Sequence, residues 1–489
     1  MQMTDTEHAA FGDRTMFIGG RWVSAKGRAK IEVENPANEQ IIATIPDGTT
    51  QDALDALEAA KKAQPAWAAL TAVERGKMVY AFANEVEANA EHLAIVVTAE
   101  QGKPIDQARG EVGAVLNFLR YAAENARRIE GDIIPSDNIH EEIHIRSHPH
   151  GVVVGLTSWN YPAALAARKI GPALVAGNTF VLLAHEITPL SGLELARMAE
   201  RAGIPAGVIN VVTGRGRVVG QAMVESPLTN MITMTGSTRA GQEIFRAGAD
   251  GLKILRLELG GKAPFIVMED ADIDAAVTAA VTARYTNCGQ ICTCNERMYL
   301  HADIADEFLE KFVAASHALV IDDPMGSPDM GPKVSGFEVD KIADQVKRSV
   351  DAGAEILLEG GPLSEGKYEK GHWYAPTVLE VSDASSPVIR EEVFGPVIAA
   401  TRVDSFEHAV QLANDTEYGL SAFLFTRDLK RLMRAPYELK FGELYLNRAN
   451  GEQVQGFHTG WNHSGLGGED GKYGFDGYLH KQTSYLNWG

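Results

Sequence analysis

The chain has 489 residues, 45% of them hydrophobic and 22% charged, and a formal net charge of -20. A single hydrophobic core seldom grows that large, so two or three domains are expected. The acidic balance favours solubility and argues against nucleic acid as a partner, because a phosphate groove needs clustered Lys and Arg.

Residues 1 to about 14 read as a polar tail without a basic and then apolar leader. No apolar run is long enough to span a bilayer, so no membrane partner and a cytoplasmic location are expected. Residues 50–127 read as helices: Ala53, Leu54, Leu57 and Ala60 keep a helical period, as do Val79, Phe82, Val86 and Leu93. Residues 129–149 look like a pair of strands. From Gly151 the short apolar strands Val152–Leu156, Phe180–Leu183, Val208–Val212 and Met231–Met234 alternate with amphipathic segments near 163–176, 189–202 and 215–224. That alternation predicts a run of βαβ units and a mostly parallel sheet. A second series starts near Pro264, with strands Phe265–Met268, Met298–Leu300, Ile356–Leu358, Val397–Ala400, Phe423–Phe425 and Leu444–Leu446. Tyr478–Trp488 reads as a further strand. The fold class is therefore α/β, with two α/β domains of parallel sheet. The strands at 129–149 and 478–488 fit neither series, and unpaired edges are a hazard. They are expected to pair with each other or with another subunit, which makes a homo-oligomer the expected state.

The three cysteines, Cys288, Cys292 and Cys294, fall in one stretch, Asn287-Cys-Gly-Gln-Ile-Cys-Thr-Cys294. A disulfide framework would spread them out, and the spacing fits no common zinc pattern, so no metal is expected. The stretch lies between a helical segment, 273–286, and the strand Arg297–Leu300. A cysteine on such a turn is placed for chemistry. In Leu257-Glu-Leu-Gly-Gly-Lys262 a strand delivers Glu258 into a glycine turn, where it reads as a structural pair or a general base. Thr157-Ser-Trp-Asn-Tyr-Pro162 ends the first strand of the series, and Asn160 there offers an amide to an oxyanion or caps the next helix. Glu391-Glu-Val-Phe-Gly-Pro396 puts an acidic pair before a turn. Two glycine-rich strand-to-helix turns, Gly214 to Gly220 and Gly236-Ser237-Thr238, suit a dinucleotide phosphate or tight helix packing. The first has one residue too many for the G-x-G-x-x-G fingerprint.

These motifs, in this order over nearly the whole chain, resemble the aldehyde dehydrogenase superfamily. The run from Leu439 to Gly474 looks most like bacterial lactaldehyde and glycolaldehyde dehydrogenases. The resemblance implies a coenzyme domain (1–128 and 150–259), a catalytic domain (260–446), a bridging or oligomerisation segment (129–149 and 470–489) and a substrate-entrance loop (447–469). It implies a dimer or tetramer. It makes Cys292 the nucleophile, Glu258 the general base and Asn160, with the Cys292 backbone N–H, the oxyanion hole. It sets Gly236 and Ser237 at the pyrophosphate, Glu186 at the adenosine ribose and Glu392 at the nicotinamide ribose, with Trp159, Gly220 and Phe394 also at the coenzyme. The reaction implied is oxidation of an aldehyde to an acid through a thioester, with hydride passing to the coenzyme.

One position departs from the family. Leu183-Ala-His-Glu186 stands where a Lys normally ends the second strand, and Leu183 cannot bond a ribose. Glu186 would repel a 2′-phosphate, so NAD is expected over NADP. Arg168, Glu452 and His458 match the lactaldehyde dehydrogenase pattern and read either as a polar mouth for a short hydroxylated or carboxylated aldehyde, or as a surface ion pair of Arg168 with Glu452. A semialdehyde is the alternative polar substrate. A cysteine-dependent ester hydrolase and a non-catalytic protein on this fold are the rival classes. The first leaves the Gly236 turn and Glu392 without a purpose. The second has only the missing Lys in its favour.

Overall fold

In the computed structural model, which describes residues 11–489, the helical run is four helices. They are α1 (Thr50–Ala69), α2 (Ala72–Ala88), α3 (Ala90–Gln101) and α4 (Ile105–Glu124). Local chemistry sets two of the starts. Thr49 with Asp52, and Thr71 with Glu74, form capping boxes in which each side chain meets the other residue's backbone N–H. Leu93, Val97, Val112, Val115 and Leu119 face inward and share one core with α5 (Pro162–Ala176).

The first strand series builds an eight-stranded sheet. Its order is Gly465–Leu466, Ile254–Glu258, Met231–Thr235, Val152–Leu156, Thr179–Leu183, Ile209–Val212, Met16–Ile18 and Arg21–Val23. The Ile254, Met231, Val152, Thr179 and Ile209 strands are parallel, and antiparallel strands close both ends. Val152, Val153, Phe180 and Val181 are buried completely, which is why these strands read as continuous apolar runs. The strand order reverses between Val152–Leu156 and Met231–Thr235. A crevice outside the carboxyl ends of such a pair is where open α/β sheets bind ligands. Those ends carry Thr157–Asn160 and Gly236–Ser237.

The second sheet runs Glu355–Leu358, Thr377–Glu380, Val397–Val403, Asn295–His301, Ala263–Val267, Ser421–Phe425 and Glu443–Leu446, parallel except at the first strand. The orphan strands pair with each other: Leu479–Asn487 lies antiparallel to Glu141–Pro149, which lies antiparallel to Asp132–Pro135. This small sheet exposes Ile133, Ile134, Tyr485, Leu486 and Trp488.

The tail reading is corrected beyond residue 10. Residues 1–10 lie outside the described residues, but Gly12–Asp13 pairs with Ala43–Thr44 and Arg14 forms an ion pair with Glu194. Of the strands between residues 16 and 46, Met16–Ile18 and Arg21–Val23 are too short for a period of two to show, and Lys30–Asn35 and Gln40–Pro46 lack a regular alternation of buried and exposed residues. Among the described residues no helix is long and apolar enough to cross a membrane.

Candidate active site

The crevice at the strand reversal opens into a cavity of about 940 Å³ lined by Trp159, Leu183, Glu186, Gly216, Gly220, Gly236 and Ser237. The extra residue in the Gly214–Gly220 turn is absorbed by a π-turn, Gly216–Gly220, before the short helix α7 (Gln221–Glu225). A π-turn closes its hydrogen bond one residue later than an α-turn, so it takes up one insertion. Ser237 caps α8 (Thr238–Gly248), accepting from the Ala240 N–H at 3.2 Å, so the positive end of α8 faces the cavity. One carboxylate oxygen of Glu186 is buried with no hydrogen-bond partner. Small residues, a helix N-terminus and an orphaned acceptor fit a dinucleotide's phosphates and ribose. Leu183 packs at Gly220, where an added Cβ would lie 3.2 Å from its Cδ2. His185 is held neutral: burial pulls it down to about 4, and its Nδ1 faces the Ile187 N–H at 3.2 Å.

The nucleophile turn follows α9 (Ile273–Tyr285), which starts at Asp272 as N-cap. Asn287 and Cys288 hold φ of +52° and +54°, left-handed values that strain non-glycine residues. Gly289 follows at +72°, and a Cβ there would lie 2.4 Å from the Gly395 oxygen, so only glycine fits. Buried Arg284 ties the turn at both ends, donating to the Gly289 oxygen at 2.9 Å and the Asn295 oxygen at 2.7 Å. Gln290 closes it, donating to the Asn287 oxygen and accepting from the Val334 N–H, each at 3.0 Å. Cys288 and Cys294 are buried and Cys292 is partly open. Burial pushes the Cys288 and Cys294 thiols up to about 11, which makes them inert. Burial also raises Cys292, but a hydrogen bond from His458 and its charge pull the other way.

A second cavity of about 460 Å³ shares Trp159, Gly236 and Ser237 with the first, and contains Asn160, Arg168, Cys292, Glu392, Phe394 and Glu452. Asn160 is not a helix cap. The N-cap of α5 is Tyr161, without a side-chain cap bond. The Asn160 Nδ2 donates to the Gln290 oxygen at 2.9 Å, two residues before Cys292, and its Oδ1 accepts from Ser158 at 2.7 Å. Glu258 is buried, and neither carboxylate oxygen has a hydrogen-bond partner. Burial pushes its pKa up to about 7, against the pull of His458. Glu392 is likewise raised to about 7, by burial and then by Glu296. Its Oε1 accepts from the Gly261 N–H at 2.8 Å, and Gly260 makes room for it, since a Cβ would lie 2.6 Å from Oε2. Phe394, at φ +55°, is held edge-on to Trp159 with ring centres 5.3 Å apart, while Glu296 accepts the Val393 and Phe394 N–H groups at 3.0 Å.

The polar mouth needs correction in position. Arg168 is 7% exposed and lines the second cavity with Glu452, while His458 is 2% exposed and is not among the residues lining it, so the two do not form an exposed rim. The surface ion-pair reading fails for the same reason. Arg168 does meet Glu452, at 3.4 Å, but its principal partner is Asp470, which accepts from Nε at 3.0 Å and from Nη2. His458 lies 3.5 Å from Glu258, 3.2 Å from Glu443 and 3.9 Å from Glu452. Burial and Arg168 push its pKa down, yet the three carboxylates outweigh them and hold it well above the usual histidine value, so it is an imidazolium at neutral pH. Sequence reasoning missed Glu443, Glu469, Asp470 and Lys169. Lys169 and Glu469 form a buried pair beside Arg168. The only signal for Lys169 was a lysine on a helix otherwise apolar at its core.

The Aldehyde dehydrogenase family model matches residues 22–484. The chain is 48% identical to 3,6-anhydro-alpha-L-galactose dehydrogenase of Vibrio sp. (strain EJY3), over 97% of this chain and 99% of that one. It is 41% identical to lactaldehyde dehydrogenase of Escherichia coli (strain K12), over 96% and 98%. A solved 3,6-anhydro-L-galactose dehydrogenase in complex with NADP superposes with a TM-score of 0.95 at 47% identity, covering 97% of this chain and 100% of that one. Matches of that length and identity leave one reading of the adjoining cavities, one of them containing Cys292: the chain belongs to the aldehyde dehydrogenase family, oxidoreductases that act on aldehydes with a nicotinamide coenzyme.

Proposed function

We propose that the chain oxidises a short hydroxylated or carboxylated aldehyde to its acid through a thioester on Cys292, with NAD preferred. Cys292 gives up its proton to solvent, and the Sγ thiolate attacks the aldehyde carbon. The second N–H of the Asn160 amide and the Cys292 backbone N–H receive the oxyanion. A nicotinamide coenzyme held there would supply the acceptor for the hydride that leaves the adduct, so that Cys292 retains a thioester. Glu258, raised to about 7 and free of hydrogen bonds, is poised to take a proton from the attacking water. Gly236, Ser237 and Gly220 would hold the phosphates, Glu186 and Glu392 the two riboses, and Trp159 with Phe394 the nicotinamide end. In this reading the eight-stranded sheet, apart from its edge strand Gly465–Leu466, belongs to the coenzyme domain (1–128 and 150–259), and the seven-stranded sheet to the catalytic domain (260–446). The segments 129–149 and 470–489 join subunits, and residues 447–469 frame the substrate entrance.

One observation carries the substrate class: Arg168 and Glu452 share the cavity that contains Cys292, and Asp470 leaves the Arg168 Nη1 free of its bonds. A buried guanidinium aimed at a small cavity favours a hydroxyl or carboxylate on the substrate and rejects an alkyl chain. Both relatives' names specify hydroxylated aldehydes, in keeping with this. A panel of lactaldehyde, glycolaldehyde, an anhydrosugar aldehyde, succinic semialdehyde, propanal and hexanal tests it. The polar aldehydes should lead in kcat/KM, and Arg168→Ala should raise their KM about tenfold, the worth of one charged hydrogen bond, and that of propanal little. A preference for hexanal, or an equal loss on every aldehyde, would refute the polar-pocket reading while leaving the family assignment intact.

NADP has its own support. Arg215, Arg217 and Arg239 line the coenzyme cavity and could receive a 2′-phosphate, and the solved relative carries NADP. Calorimetric titration with both coenzymes decides; tighter NADP would mean that the arginines outweigh Glu186.

A further inference from the structure

Gln107 and Glu111 stand a step of four apart on one face of α4, and Lys103 lies just before Pro104, the N-cap of that helix. The Lys103 and Glu111 side chains are fully buried as an ion pair. Such a pair is a poor source of stability, because desolvation offsets the Coulombic gain. What distinguishes this one is where its remaining bonds go. Lys103 Nζ donates to the main-chain oxygen of Asn160 at 2.8 Å and lies 3.5 Å from the centre of the Tyr161 ring. Glu111 Oε1 accepts the Ala163 and Ala164 N–H groups at 2.9 and 3.1 Å. These are first-turn amides of α5, whose own N-cap offers no side-chain bond. Gln107 Oε1 accepts the Asn287 N–H at 2.8 Å, at the left-handed turn that leads to Cys292. Asn287 Nδ2 then donates to the same Asn160 oxygen at 3.0 Å. The α4 face and the lysine just before its N-cap therefore grip the oxyanion loop, the helix behind it and the nucleophile turn together.

We propose that Lys103, Gln107 and Glu111 are positioning residues that set Asn160 against Cys292 for the dehydrogenase reaction. None touches the reacting atoms. Each acts through a backbone group, and without them the Asn160 amide would keep its chemistry but lose its aim. Removing an oxyanion donor outright costs roughly 100- to 1000-fold in rate, so misaiming one should cost about tenfold.

The test uses the full-length enzyme and the best aldehyde of the panel, whichever it is, so its outcome is independent of the substrate class. Gln107 is only half-buried and its loss leaves the ion pair intact, so Gln107→Ala is the variant that folds. It should lower both kcat and the rate of the first NADH burst about tenfold, with the NAD dissociation constant unchanged within twofold. Lys103→Met should lower them further, and Lys103→Arg should recover part of the loss. A merely structural role would lower the melting temperature while each folded molecule keeps the wild-type burst rate. A wild-type burst rate in Gln107→Ala overturns the proposal, as does one in any folded Lys103→Met; if Lys103→Met does not fold, Gln107→Ala decides alone.

Discussion

Cys292 differs from its two neighbours in being partly open and in receiving a hydrogen bond from His458, and reactivity follows both. Cys292→Ala or Cys292→Ser should abolish dehydrogenase turnover, while Cys288→Ala and Cys294→Ala should keep most of it. Assays of the three variants check this, and activity surviving in Cys292→Ala would move the nucleophile elsewhere. Glu258 supports a second prediction through stability. Its pKa rises from 4.5 unfolded to about 7 folded, so folding favours its protonated form. That contribution is complete below about pH 4.5 and is lost as pH rises through 7. Glu258→Gln cannot pay that penalty, so its melting temperature relative to wild type should climb between pH 5 and pH 8. Thermal melts across that range check the sign; a flat difference would place the Glu258 carboxylate in a solvated site. The sequence showed which residue types stand at these positions. It could not show the charge state of His458, which depends on Glu258 arriving from a distant strand beside Glu443 and Glu452.

Strands and helices with strong patterns were legible, and so were the turns between them. Val152–Leu156 was read to the residue, because a strand buried on both faces leaves an uninterrupted apolar run bounded by glycine and polar residues. The short strands Met16–Ile18, Arg21–Val23 and Gly465–Leu466 were not legible, since two or three residues carry no periodicity. Gln107 and Glu111 on α4, with Lys103 just before it, were missed for another reason: a Lys and a Glu beside a helix start read as solvent-exposed until the segments that cover them are known. At the strand end, Leu183 belongs to the same scale. It packs at Gly220 beside the coenzyme cavity and offers no donor. Leu183→Lys should tighten NAD by about 1 kcal/mol, the net worth of one hydrogen bond. Titration calorimetry checks it, and unchanged binding would mean that the ribose lies away from this strand end.

For the whole molecule, the small sheet built by Asp132–Pro135, Glu141–Pro149 and Leu479–Asn487 carries exposed apolar residues at Ile133, Ile134, Tyr485, Leu486 and Trp488. A patch of that kind marks an interface, and the proposed occupant is a second copy of the chain. Truncation after Tyr478 should leave a smaller assembly by light scattering, whereas an unchanged mass would place the interface elsewhere. The central claim is that the cavity containing Cys292 adjoins the coenzyme cavity at Trp159, Gly236 and Ser237, so that an aldehyde becomes a thioester on Cys292 before water releases it. The most direct measurement is the intact mass of Glu258→Gln after rapid mixing with NAD and lactaldehyde, with the adduct mapped by peptide. The account predicts one lactyl group on Cys292, formed together with one equivalent of NADH. Acid produced without NADH, or an adduct on any other residue, would contradict it.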